Sequence, residues 1–150
     1  MMRRHFWTIS TAGSLGVLGL GVTSGLVVLA NHFVEQLSRP HQLPNVDDFT
    51  WIIPRLEAEP PSEQRRSLLL RTADGKLLRG EFWAQAHPAP TVIICHGYRL
   101  SRTYLKPVAA LDHKFGYNVL LFDFRGHGDS ESVATSGGNA EVRDLEAAIT

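Results

Sequence analysis

Apolar and polar positions are distributed very unevenly along the chain. From 6 to 30 no charged residue interrupts a run rich in Leu, Val and Gly, WTISTAGSLGVLGLGVTSGLVVLA. A helix over that stretch rises about 37 Å at 1.5 Å per residue, enough for a hydrocarbon core of roughly 30 Å. Between 32 and 64 no period is sustained, and Pro40, Pro44, Pro54, Pro60 and Pro61 alternate with charges. That composition predicts an extended linker, with Trp51, Ile52 and Ile53 as a short apolar tuck against a domain surface.

From 65 onward strand and helix signals alternate. The segment 67–72 predicts a strand, and Asp74-Gly75 supplies a dipeptide suited to the positive backbone angles of a tight hairpin turn. The return strand is expected over 77–83, with Leu78, Gly80 and Phe82 on one face. Thr91-Val92-Ile93-Ile94-Cys95 is a β-branched run, short and apolar on both faces, as an interior parallel strand would be. A helix follows near Pro107, with Val108, Leu111 and Phe115 as its apolar face and Gly116 as its left-handed cap. A second buried strand is expected over 117–124, then a Gly- and Ser-rich loop over 125–138. Asn139 is placed to cap a last helix whose Val142, Leu145 and Ile149 share a side. A hairpin followed by strand–helix–strand–helix predicts an α/β fold with a mostly parallel sheet, flanking helices and an antiparallel start.

The expected organisation is therefore a signal anchor or signal peptide over 1–31, a proline-rich linker over 32–64 and a folded part over 65–150. Arg3 and Arg4 precede the apolar run and Glu35 follows it. By the positive-inside rule the N-terminus stays cytoplasmic and the rest faces outward. The chain is read as a single-pass membrane protein that meets the lipid bilayer through 6–30. The alternative is export after cleavage near Ala30, where Val28-Leu29-Ala30 spaces small residues suitably, although the run is longer than a signal peptide needs. Arg3-Arg4 also resembles a twin-arginine signal, and Gly21 and Gly25 form a GxxxG.

Composition narrows the possibilities. The chain has 150 residues, 43% of them hydrophobic, with 15 basic and 15 acidic side chains and a formal net charge of zero. No cationic excess is present to displace counterions from phosphate, which argues against a nucleic-acid partner. The single cysteine, Cys95, excludes an intramolecular disulfide and any multi-cysteine zinc site, and it reads as a small buried hydrophobe. No metal, nucleotide or flavin motif occurs, so no cofactor is expected.

Candidate chemistry lies in the loops that end the apolar strands. The first is Ile94-Cys95-His96-Gly97-Tyr98, and the second is Asp123-Phe124-Arg125-Gly126-His127-Gly128-Asp129-Ser130. A strand ending in His-Gly, a helix, then a strand ending in D-x-R-G-x-G-x-S resembles the N-terminal half of an α/β-hydrolase. Among these it is most similar to the serine hydrolases grouped with lysophospholipases and serine aminopeptidases. The resemblance covers about 66–150.

The resemblance implies that the backbone N–H of Tyr98 is one donor of an oxyanion hole, with His96 and Gly97 supporting the loop. Such a donor stabilises the negative charge that acyl transfer places on the substrate oxygen. It further implies that His96 is structural and not the catalytic base. Cys95 and His96 are adjacent on a strand, point to opposite faces and cannot readily form a nucleophile–base pair. In the second loop Asp123 and Arg125 can pair with one another or bind loop backbone, while Gly126 and Gly128 allow turns that side chains block. His127 and Ser130 read as loop hydrogen-bonding residues. Arg99, Arg102 and Lys106 form a basic cluster read as a solvated helix entry.

The nucleophile elbow G-x-S-x-G occurs nowhere in the 150 residues. The expected function is thus the N-terminal portion of a membrane-anchored serine hydrolase that cleaves an ester or amide of a small molecule or peptide through an acyl-enzyme. The nucleophile and its triad partners would lie outside this chain, which alone is expected to be inactive and to leave an unpaired sheet edge. Two alternatives remain: an α/β-hydrolase with an Asp nucleophile, of dehalogenase or epoxide hydrolase type, or a truncated non-catalytic anchor or interaction module.

Overall fold

The computed structural model describes residues 5–39 and 59–150, with side chains in the first segment described from Val22 onward. Two compact units result, one ending at Leu37 and the other beginning at Ser38. The first is a single α-helix, α1 (His5–Ser38), whose 34 residues span about 51 Å. It continues past Ala30, so the first residues of the expected linker are helical. Trp51, Ile52 and Ile53 lie outside the described residues. Along the described part of α1 the side chains of Val22, Leu26, Val28, Leu29, Phe33 and Val34 are exposed. Among the described residues no helix is long and apolar enough to cross a membrane.

The second unit contains a sheet of four strands in the order β1-β2-β4-β3. They are β1 (Arg65–Arg71), β2 (Leu77–Trp83), β3 (Thr91–Cys95) and β4 (Asn118–Phe122). The β1–β2 hairpin places Leu70 opposite Leu78. Its turn is longer than the predicted dipeptide, because Thr72 N–H donates to the Lys76 carbonyl and Gly75 N–H to the Thr72 carbonyl. Only Gly75 takes a positive φ there.

β4 pairs antiparallel with β2 and parallel with β3, with Gly80 opposite Phe122 and Val92 opposite Val119. The described sheet is therefore mixed, and the expectation of a mostly parallel sheet is corrected. The early hairpin leads into the central strand, so only the β3–β4 crossover is parallel.

Two helices flank the sheet, α2 (Lys106–Lys114) and α3 (Val142–Ile149). A 3₁₀ turn, Arg102–Leu105, leads into α2. Trp83, Ala109, Ala110, Val119 and Leu121 form one buried cluster, with Ile94 and Leu105 packed against it. Small alanines let α2 lie close to β4. The predicted α2 face is corrected accordingly, because Ala109 and Ala110 are its buried residues and Phe115 is exposed. Gly116 ends the helix at φ +91° as expected.

β4 is buried on both faces, with Leu120 and Phe122 opposite the α2 side. β3 is only partly covered, because β4 is its one described neighbour. Cys95, at the end of β3, is exposed and not the buried hydrophobe expected from its type.

α3 departs furthest from expectation. Its apolar stripe of Val142, Leu145 and Ile149 is exposed, and its buried residue is Asp144. Asn139 does not cap it. The turn before the helix is instead organised by Glu141, whose carboxylate accepts hydrogen bonds from the Ser136 and Gly138 backbone N–H groups at 2.9 Å each.

Candidate functional site

Both motif loops leave the same end of the parallel pair β3–β4, so the sheet register brings 96–99 and 123–130 together. Two histidines join them reciprocally. The Phe124 backbone N–H donates to His96 Nε2 at 3.0 Å, and the Arg99 backbone N–H donates to His127 Nε2 at 3.3 Å. A backbone N–H can only donate, so both Nε2 atoms are bare and act as acceptors. The protons then sit on Nδ1, where His96 donates to the Gly97 carbonyl at 2.8 Å and His127 to the Arg125 carbonyl at 3.0 Å. Their ring centroids are 5.1 Å apart.

Both histidines are buried. Burial holds the His96 pKa below its ordinary value; the nearby His127 lowers it further, while the Gly97 carbonyl and Asp123 oppose the shift. Both ring nitrogens of His96 are thus engaged by loop backbone.

Asp123 fixes the second loop from below. Its fully buried carboxylate accepts from the Arg102 backbone N–H at 2.6 Å and the Asp129 backbone N–H at 3.0 Å, and it pairs with the Arg102 guanidinium. Gly128 lies directly on it at φ +51°, where a Cβ would overlap the carboxylate. Gly126, at φ +73°, packs equally tightly against the Val133 carbonyl. Ser130 is committed as well: its Oγ donates to the Asp123 carbonyl at 2.6 Å and accepts from the Arg79 N–H at 2.9 Å. That leaves the hydroxyl no proton to lose in a nucleophilic role.

Asp123 and Arg125 bind loop backbone or other partners, and the option of pairing with each other is not taken. Arg125 turns to Asp74 and Asp144. Both carboxylates raise its pKa, and Arg125 and Thr72 hold Asp74 well below the usual carboxylate range. The basic cluster also resolves differently from the expectation. Arg102 pairs with Asp123 and Asp129, and Lys106 with Glu59 and Glu81, so these two are anchored ends and not a solvated patch. The cause is the supply of carboxylates from β2, the loop after β4 and the segment before β1, which sequence proximity does not reveal.

Above the histidines lies an open cavity of about 400 Å³, lined by His96, Gly97, Tyr98, Phe124, His127, Thr135, Gly137, Gly138 and Glu141. Glu141 is partly desolvated, which opposes ionisation, but bonds from Ser136, Thr135 and two backbone N–H groups outweigh this and bring its pKa to about 2. It is a charged, fully engaged brace for the cavity wall. Asp144 and Glu141 were not foreseen. The signal for Asp144 was the motif arginine itself, since a guanidinium in a Gly-turn loop requires carboxylates. Among the described residues no cluster of His, Cys, Asp or Glu could hold a metal ion.

No family model matches the chain. The Bacillus subtilis protein YqkD is 30% identical over 87 residues, covering 58% of this chain and 28% of its own. A thiohydrolase of Aspergillus aculeatus, aneE, is 36% identical over 63 residues, covering 41% of this chain and 20% of its own. Among solved structures, the Pyrococcus furiosus esterase Pf2001 superposes with a TM-score of 0.55 at 35% identity, over 64% of this chain and 40% of that one. The chain thus spans between a fifth and two-fifths of the length of these proteins. Strand order, the paired motif loops at one sheet end and this likeness agree: the chain belongs to the α/β-hydrolase superfamily.

Proposed function

We propose that the protein is the N-terminal portion of a membrane-anchored serine hydrolase that cleaves an ester or amide through an acyl-enzyme. The observation carrying this reading is the rim of the 400 Å³ cavity, formed by His96, Gly97 and Tyr98 at the end of β3. In this reading the Tyr98 N–H stabilises the developing oxyanion. Gly97 lines the same rim, and the two histidines and Asp123 hold it against the second loop. None of them transfers a proton. The nucleophile, and the base that activates it, come from polypeptide outside these 150 residues, in which no G-x-S-x-G occurs. Likeness to an esterase and a thiohydrolase supports acyl transfer as the reaction class.

The anchor is proposed from α1. Its helix runs unbroken through 6–30, and the apolar side chains Val22, Leu26, Val28, Leu29, Phe33 and Val34 of its described part are exposed. Arg3 and Arg4 ahead of it support an N-terminus in the cytoplasm, with the hydrolase part outside.

The test compares the 150-residue chain with a form extended by the downstream reading frame, using a p-nitrophenyl ester and a fluorophosphonate probe. Turnover and serine labelling are expected in the extended form alone. Esterase activity in the 150-residue form would overturn the placement of the nucleophile. An active extended form that the probe does not label would favour an Asp nucleophile.

A further inference from the structure

We propose that His127 is a positioning residue for the rim dipeptide Tyr98–Arg99, acting through its bare Nε2. The proposal rests on the reading of Tyr98 as the oxyanion donor. Arg99 is the one non-glycine residue with positive φ among the described residues, at +64°. A side chain in that left-handed region is disfavoured by its own Cβ, so the turn needs an external hold. The hold is the Arg99 N–H bond to His127 Nε2 at 3.3 Å, with the Tyr98 ring set edge-on to the same imidazole at 6.0 Å. His127 is in turn fixed by its Nδ1–H bond to the Arg125 carbonyl, and it stands between Gly126 and Gly128, whose positive φ values set the bend that aims it.

The device is specific to one tautomer. A proton on Nε2 would turn the acceptor into a donor facing the Arg99 N–H and release the turn. His96 is held in the same tautomer from the opposite direction by Phe124, so each loop carries the acceptor for the other. Groups facing the pair are Tyr98, Asp123 and the braced Glu141 across the cavity, while the Arg125 guanidinium is drawn away to Asp74 and Asp144. Nothing in this arrangement requires His127 to touch substrate.

The test uses the full chain, ¹⁵N-labelled in lipid nanodiscs, as wild type, His127→Phe (ring kept, acceptor lost) and His127→Gln (an amide oxygen near the Nε2 position). Long-range ¹H–¹⁵N spectra of wild type at pH 8 should show His127 protonated at Nδ1 and bare at Nε2. Arg99 amide exchange should accelerate about tenfold in His127→Phe, the size of one net hydrogen bond, and return toward wild type in His127→Gln. Val119 and Leu121 should be unaffected. An Nε2-protonated His127, or unchanged Arg99 exchange in His127→Phe, overturns the proposal. If His127→Phe unfolds globally, the wild-type tautomer and the Gln variant decide. None of these readouts needs a nucleophile, so they stand apart from the labelling experiment above. In an active extended form, His127→Phe should lower kcat about tenfold with KM unchanged, and a fall in affinity alone would count against positioning.

Discussion

Replacing Asp144 by Ala tests the claim that α3 is held by charge and not by its apolar stripe. The Asp144 carboxylate is fully buried and accepts from the Arg125 backbone N–H at 3.0 Å, Nε at 2.9 Å and Nη2 at 2.7 Å. Its removal strands a guanidinium that is only 5% exposed, together with a backbone N–H. Loss of one member of a buried pair costs about 3–5 kcal/mol. Asp74 still faces the guanidinium from a partly exposed position, so the lower end, about 3 kcal/mol, is expected.

For a fold with a total stability of about 5–15 kcal/mol this is a large fraction, and it lowers the urea midpoint by about 2 M. Fluorescence of the buried Trp83, with Trp7 and Trp51 changed to Phe, reports the transition. Arg125→Met should cost a similar amount by leaving Asp144 alone in the interior. The double variant should cost at least about 1 kcal/mol less than the sum of the singles, since no unpaired charge is left. A loss under about 1 kcal/mol for Asp144→Ala, or strict additivity in the cycle, would refute the reasoning.

Two further expectations concern the motif loop. Gly128→Ala drives a methyl into the Asp123 carboxylate at φ +51°, whereas Gly137→Ala, at φ +68° with nothing within 4 Å, meets strain alone. Thermal melts should therefore show the first losing well over the roughly 1–2 kcal/mol of left-handed strain and the second no more than that. The pH dependence follows from His96, whose folded pKa lies below its ordinary 6.5. Its unfolded form binds a proton more readily, so its contribution is complete above about pH 6.5, declines as pH falls below that and is gone once pH has passed through the folded value. His96→Asn, whose side-chain oxygen does not titrate in this range, should flatten that part of the stability–pH curve, and an unchanged curve would argue that the neutral imidazole is not what holds the loop.

The strands were the most legible part of the sequence. β2 and β3 match their expected bounds because β-branched and aromatic runs are closed off by Asp-Gly, Pro and His-Gly, which end a strand whatever surrounds it. α3 was found by periodicity, but the face it buries was not, since a period of apolar residues says which side could pack and not what lies across from it. There the Arg125 guanidinium draws Asp144 inward, and Ala147 and Ala148 follow on that side, partly buried. The fate of Arg125 and Asp123 was similarly hidden, because a motif read as a string suggests neighbours pairing, while its carboxylate and guanidinium point to partners on the hairpin turn, the turn before α2 and α3. For His96 the resemblance suggested a structural role. That it exchanges acceptors with His127 required both loops in space.

The strand order also has a consequence for how the chain assembles. β2 and β3 both bond to β4, and β4 is the last of the four to leave the ribosome. Before it arrives, the β1–β2 hairpin is the one paired unit among the described strands, and a lone hairpin is marginal in water. Thr91–Cys95 meanwhile waits with no strand to join. Arrival of Asn118–Phe122 closes two long loops at once, an entropy cost that must be met before either pairing can repay it. Completion of the described sheet therefore waits on a five-residue strand, Asn118–Phe122, which must bring both of its neighbours together.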